Sequence, residues 1–275
     1  MAVLAVDLDG TLLRADGSIH ADDIAAIGRV RAAGVAVSIV TGRMYPGSIG
    51  AARAAGIEGP IACVDGSHIV DTRGDAAMYR RSFSGAHAGA IRDVLDHHAP
   101  ASFVLGDHHI VHDSAGAVFA SYVRTWSPHL VESARVAEHP MWDDEGAVLG
   151  VIALGDEARI ASAAEDLADE LGGAASVVQF PFRQIPGTYA MLVRVAGATK
   201  GTAIAWLAEH HGCGAANIVA VGDWHNDLPM FEVAGRSFAM AQAPDDVKSA
   251  ATDLLEADGA VGGGVAEAIR RVWNV

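Results

Sequence analysis

The amino-acid sequence predicts an α/β fold, a parallel sheet with helices between its strands, carrying an inserted α+β domain. Short β-rich apolar runs alternate with helical stretches near both ends of the chain, a rhythm that implies βαβ units. Between about residues 83 and 189 that rhythm gives way to a hairpin pattern punctuated by Pro140, Pro181 and Pro186. Three apolar runs outside the insert end in polar clusters, DLDG, TGR and GDWHND. Open parallel sheets bind ligands beyond the carboxyl ends of their strands.

The elements follow in order. Residues 3–6 form a short apolar strand. Residues 22–33 form a helix, with Ile24, Ile27 and Val30 at helical spacing and Gly34 closing it. VAVSIV (35–40) is a second strand, 47–55 a short helix and 61–64 a third strand. In the insert, 87–98 reads as a helix, and 102–105 with 109–112 flank Gly106-Asp107-His108 as a hairpin. Strands at 148–154, 176–180 and 190–195 and a helix at 157–171 complete the α+β segment. The closing βα rhythm runs through a helix from Lys200, a strand at 217–221, a helix at 228–234, a strand at 237–240 and helices at 245–252 and 264–272.

Composition excludes several classes. The formal net charge of −15 argues against nucleic acid and anionic membranes as partners. It also repels phosphorylated substrates, so local positive charge, such as a metal ion, has to overcome it. No stretch approaches the ~18 apolar residues of a membrane span. With no leader pattern and two distant cysteines, Cys63 and Cys213, the expectation is a cytoplasmic protein. Only two of the 19 basic residues are lysines, Lys200 and Lys248, which marks both for attention.

Each motif has a plain reading beside a chemical one. Alternation along an extended chain turns Asp7 and Asp9 toward a common point at the strand end, although Asp-Gly turns are common. Thr41, Gly42 and Arg43 can hold an anion, or Thr41 can simply cap a helix. Asp223 and Asp227, with Asn226, can share a region with Asp7 and Asp9, or line an acidic surface loop. So many buried carboxylates need a hard divalent cation, which favours Mg²⁺ over zinc. Lys200 opens a helix against the macrodipole, so its charge is used elsewhere; the spacing around it is not that of a P-loop. His108, His109, His112 and Asp113 suggest zinc, but strand alternation splits the histidines between two faces.

Taken together, DLDGT, TGR, Lys200-Gly201 and GDWHNDLPM resemble the haloacid dehalogenase (HAD) superfamily, most closely its Cof-type, subfamily IIB phosphatases. The resemblance implies a Rossmann-like parallel-sheet core from 1–82 and 190–275, and a C2-type cap at 83–189 that sets specificity. It makes Asp7 the nucleophile that forms an aspartyl-phosphate, and Asp9 the general acid and then base. Thr41 and Lys200 would hold phosphoryl oxygens, aided by amides around Asp9 and Gly42, with Arg43 and Asn226 also near the substrate. Mg²⁺ would be bound by Asp7, the Asp9 carbonyl and Asp223, with Asn226 and Asp227 supporting the shell.

The implied partner is a small phosphomonoester, a sugar phosphate first among them. A phosphohexomutase and a silent phosphate-binding module are the alternatives. The chain departs from the family pattern at Asp65, where relatives often carry Asn, at Gln242 and at the bulky Trp224-His225. None of these is expected to touch the core chemistry, but Asp65 and Trp224 are candidates to shape or charge the pocket.

Overall fold

The computed structural model describes residues 1–275. In chain order the strands and helices are β1 (Val3–Val6), α1 (Ala21–Ala32), β2 (Ala36–Ile39), α2 (Tyr45–Ala54), β3 (Pro60–Cys63), β4 (His68–Asp71) and β5 (Ala76–Arg80). Next come α3 (Gly85–His98), β6 (Ala101–Leu105), β7 (Ile110–His112), α4 (Ala120–Val123), β8 (Leu130–Glu132), β9 (Gly150–Gly155), α5 (Glu157–Leu171), β10 (Ala175–Pro181) and β11 (Tyr189–Val195). The chain closes with α6 (Lys200–His210), β12 (Ile218–Gly222), α7 (Leu228–Val233), β13 (Arg236–Ala239), α8 (Asp245–Ala250), β14 (Asp253–Leu254) and α9 (Gly264–Trp273). No helix is long and apolar enough to cross a membrane.

The chain forms two compact units. The first comprises Met1–Gly42, Ser48–Tyr79 and Thr199–Val275. Its main sheet has the order β14-β13-β12-β1-β2 and is parallel throughout. All of β1 is buried, as its unbroken apolar sequence requires of a central parallel strand. Val3 and Ala5 pack with Ile204, Leu207, Met230 and Phe231 of α6 and α7. The sheet runs outward from β1 to β2 on one side and from β12 to β14 on the other. The β1/β12 pair is therefore the switch point at which such sheets bind ligands.

The third strand does not extend this sheet as the βαβ rhythm suggests. Beyond a parallel bridge from Val40 to Ala62, β3 pairs antiparallel with β4 in a separate sheet of order β3-β4-β5. The β4 and β5 strands have no counterpart in the sequence reading. β5 is AAMYR and mostly exposed, so it lacks an apolar alternation to betray it.

The second unit comprises Arg43–Gly47 and Arg80–Ala198. Its sheet has the order β10-β11-β9-β6-β7-β8, antiparallel except for β7 with β8. Helices α3 and α5 cover it through Ile91, Leu95, Ile160 and Leu167, which meet Val104, Val151, Met191 and Val193. The insert runs past residue 189. β11 pairs along its length with β9 and β10, which takes 190–195 out of the core unit. Residues 43–47 also join this unit, because the Met44 N–H bonds the Trp126 carbonyl at 3.0 Å. Buried His112 packs its ring on Phe103, and the three-ligand metal-type group in the chain consists of aspartates.

Candidate active site

Parallel pairing continues one residue past β1, with the Asp7 N–H bonded to the Val221 carbonyl at 2.9 Å. This delivers Asp7 beside the end of β12, where the chain continues as Gly222-Asp223. Asp7, Asp223 and Asp227 are all buried, and carboxylate oxygens of the three lie within 4.8 Å of one another. The approach is tight enough to dictate glycine twice. Gly10 has φ +80°, and a Cβ there would stand 2.5 Å from Oδ2 of Asp223. A Cβ on Gly222 would collide with the Asp227 carboxylate.

Lys200, the first residue of α6, answers these charges. Its side chain is fully buried, and Nζ donates to Oδ1 of Asp7 at 2.5 Å and to Oδ1 of Asp227 at 2.6 Å. Thr199 and Thr202 cap the helix reciprocally, which steadies the lysine at its start. Asp227 spends its other oxygen on the N–H groups of Asp223 and Trp224, at 2.8 and 3.0 Å. It thus ties the 223–227 loop to Lys200.

Burial opposes the charge on Lys200, but Asp227, Asp7 and Asp65 outweigh it and keep the ammonium protonated. Burial raises the Asp7 carboxyl well above its usual range; Lys200 pulls it down, and Asp227 and Asp223 push it up again. Burial and then Asp227 push the Asp223 carboxyl up to about 6, against hydrogen bonds from Gln242 and Thr11. One ammonium against three carboxylates leaves a buried negative charge. With oxygen donors alone, that group fits a hard divalent cation.

The other expected residues are placed less uniformly. Asp9 is exposed, and its carboxylate is not in the buried group. β1 ends at Val6, and residues 8–13 form a tight turn closed by Leu13 N–H to Leu8 O at 2.7 Å. Alternation along an extended strand therefore does not apply at Asp9. Thr41 is buried; its N–H bonds the Ala62 carbonyl and its own carbonyl accepts from the Asp65 N–H. The next helix begins only at Tyr45, so Thr41 does not stand at its N-cap. Gly42 lies against the Asp65 carboxylate, to which Asn226 Nδ2 donates at 3.1 Å. Arg43 belongs to the second unit, where its guanidinium donates to the Gly47 carbonyl at 3.3 Å.

Three residues take roles in the site that the sequence reading did not assign to them. Thr11 Oγ1 donates to Asp223 Oδ1 at 3.1 Å. Gln242 Nε2 donates to Asp223 Oδ2 at 3.2 Å and to the Gly10 carbonyl at 2.8 Å, so this departure does touch the central carboxylates. The signal for Gln242 was its place just past β13, whose end lies beside that of β12. Asp65 stands on a strained turn, with Val64 at φ +50° and Asp65 at φ +52°. Such conformations cost on the order of 1–3 kcal/mol each and cluster at functional sites.

Comparison with known proteins agrees with this geometry. Residues 4–269 match the model of the haloacid dehalogenase-like hydrolase family. The chain is 25% identical to the pyridoxal phosphate phosphatase YbhA of Escherichia coli, over 92% of each chain. It is 28% identical to the 5-amino-6-(5-phospho-D-ribitylamino)uracil phosphatase YwtE of Bacillus subtilis, over 94% of each. A subclass IIB sugar phosphatase of the HAD superfamily shares its fold, with a TM-score of 0.77 and 19% identity over the full length of both chains. A switch-point site of three aspartates and a lysine, within a match spanning almost the whole sequence, makes the chain a hydrolase of the haloacid dehalogenase-like family.

Proposed function

We propose that the chain is a Mg²⁺-dependent phosphomonoesterase that carries the phosphoryl group on Asp7. The observation that supports this best is the Asp7 carboxylate itself, at the switch point, with one oxygen held by Lys200 and Asp223 alongside. In the first step a carboxylate oxygen of Asp7 bonds to phosphorus and the ester P–O bond breaks. The departing alkoxide takes the proton of the Asp9 carboxyl. In the second, the Asp9 carboxylate takes a proton from water, whose oxygen bonds to phosphorus. The acyl-phosphate P–O bond then breaks, returning Asp7 and releasing inorganic phosphate.

Asp9 is exposed, as a group that exchanges protons with an alcohol and with water has to be. Lys200 and Thr41, with the amides near Gly42, bind the phosphoryl oxygens, and Arg43 and Asn226 serve the substrate. Asp7, the Asp9 carbonyl and Asp223 would hold Mg²⁺, which when bound neutralises charge on the transferring group. Thr11 and Gln242 orient Asp223, and Asp227 acts through Lys200 and its own loop. The three relatives' names cover different phosphorylated compounds. The substrate class is therefore a small phosphomonoester, with a sugar phosphate the first to test and the second unit as specificity domain.

Phosphate release across a metabolite panel tests the reading. Turnover is expected with Mg²⁺ and is lost with EDTA. Asp7→Asn is expected to lose at least ~10³-fold in kcat while folding normally. Hydrolysis at the wild-type rate by that variant would overturn the proposed intermediate.

A further inference from the structure

Thr41-Gly42, Lys200 and Asn226 come from three separate stretches of the first unit, and one side chain lies beside all of them. Asp65 follows β3 on the left-handed turn Val64–Gly66. Its N–H bonds the Thr41 carbonyl at 3.0 Å, and a Cβ built on Gly42 would stand 3.2 Å from its Oδ1. The same oxygen accepts from Asn226 Nδ2 at 3.1 Å. Behind the turn, a Cβ on Gly66 would stand 2.6 Å from the Thr199 carbonyl, the cap of the helix that begins with Lys200. The Asp65 charge is one of three that favour the Lys200 ammonium.

A carboxylate only accepts hydrogen bonds, so Asp65 determines which way the Asn226 amide faces: nitrogen toward Asp65, oxygen away from it. A turn needed only to reverse the chain would not keep two successive non-glycine residues, one of them β-branched, at positive φ.

We propose that Asp65 is a positioning residue of the phosphoryl site. It orients Asn226 through its hydrogen bond and fixes the Thr41-Gly42 segment against the start of α6, without itself touching the substrate. The proposal rests on the phosphatase reading above.

Two variants separate the carboxylate from the turn. Asp65→Gly accepts the left-handed backbone and removes the side chain. Asp65→Asn also tolerates that backbone and keeps an oxygen to accept from Asn226. With Mg²⁺ and a phosphomonoester, Asp65→Gly is expected to lower kcat by ~10–100-fold. Asp65→Asn should recover kcat to within about threefold of wild type, with KM unchanged or lower because a charge facing the anion is gone. Asn226→Ala should match Asp65→Gly, and the double variant should be no slower than either single one.

The side-chain amide signal of Asn226 in nuclear magnetic resonance reads the contact without turnover. It should exchange slowly with solvent in wild type and Asp65→Asn, and rapidly in Asp65→Gly. Wild-type kcat in Asp65→Gly, equal loss in both variants, or losses that multiply in the double variant would each overturn the proposal. An amide signal unmoved in Asp65→Gly would overturn the contact alone. A wild-type chain that hydrolyses no phosphomonoester would overturn the phosphatase reading, and with it the role in turnover.

Discussion

Lys200 holds together charges that would otherwise repel, and its buried environment makes it intolerant of substitution. Removing its ammonium leaves Asp7 and Asp227 buried and unpaired. Lys200→Met is therefore expected to cost about 3–5 kcal/mol of stability as well as activity. Urea unfolding measures this, and Mg²⁺ should recover part of the loss by supplying the missing positive charge; stability unchanged from wild type would contradict it. The same residue shows what a sequence can reveal. Asp7, Lys200, Asp223 and Asp227 are legible because each ends a strand or opens a helix, where side chains converge on a switch point. The hydrogen bonds of Thr11, Gln242 and Asp65 are not, since they depend on partners brought together only by folding.

The helices near the termini show how one side chain can anchor an element. Asp23 of α1 is fully buried, and its carboxylate accepts from the N–H groups of Gly263 and Ala266 at 3.0 and 2.7 Å, at the start of α9. It supplies the cap that α9 lacks locally. Asp23→Ala should cost about 1–2 kcal/mol, read by thermal unfolding. Burial raises this carboxyl despite those two hydrogen bonds. A folded-state value above the unfolded one means its contribution is complete in acid and declines as pH rises through the raised value. The stability advantage of wild type over Asp23→Asn should thus be larger near pH 4 than at pH 7.

Helices such as α5 and α6 are legible from spacing and caps, and the central strands from unbroken apolar runs. Helical spacing overstates one position: Ile24 is 38% exposed while Asp23 beside it is buried. The β4 and β5 strands are hidden because the first, though buried, is only four residues long and the second is mostly exposed, so neither carries a distinctive period.

At the scale of the molecule, a net charge of −15 surrounds a site that has to admit a phosphate ester. That field slows the approach of a dianion and is screened by salt. At constant Mg²⁺, raising ionic strength from about 10 to 150 mM should lower KM for a phosphomonoester. A rise would show instead that local positive charge dominates the encounter. The two-unit organisation is readable from the change of rhythm along the chain, whereas the transfer of residues 43–47 and 190–195 follows from pairings with distant partners.

The parallel pairing of β1 with β12 also bears on how the chain acquires activity. Val3–Val6 are separated from β2 by only one helix, but their other neighbour, Ile218–Gly222, emerges only after the whole inserted unit has been made. Contacts of such long sequence separation close slowly and late. A nascent chain thus carries Asp7, the proposed nucleophile, well before Asp223 and Asp227, which complete the buried group, have been made. Recovery of turnover during refolding should for the same reason report the last step of assembly rather than the first.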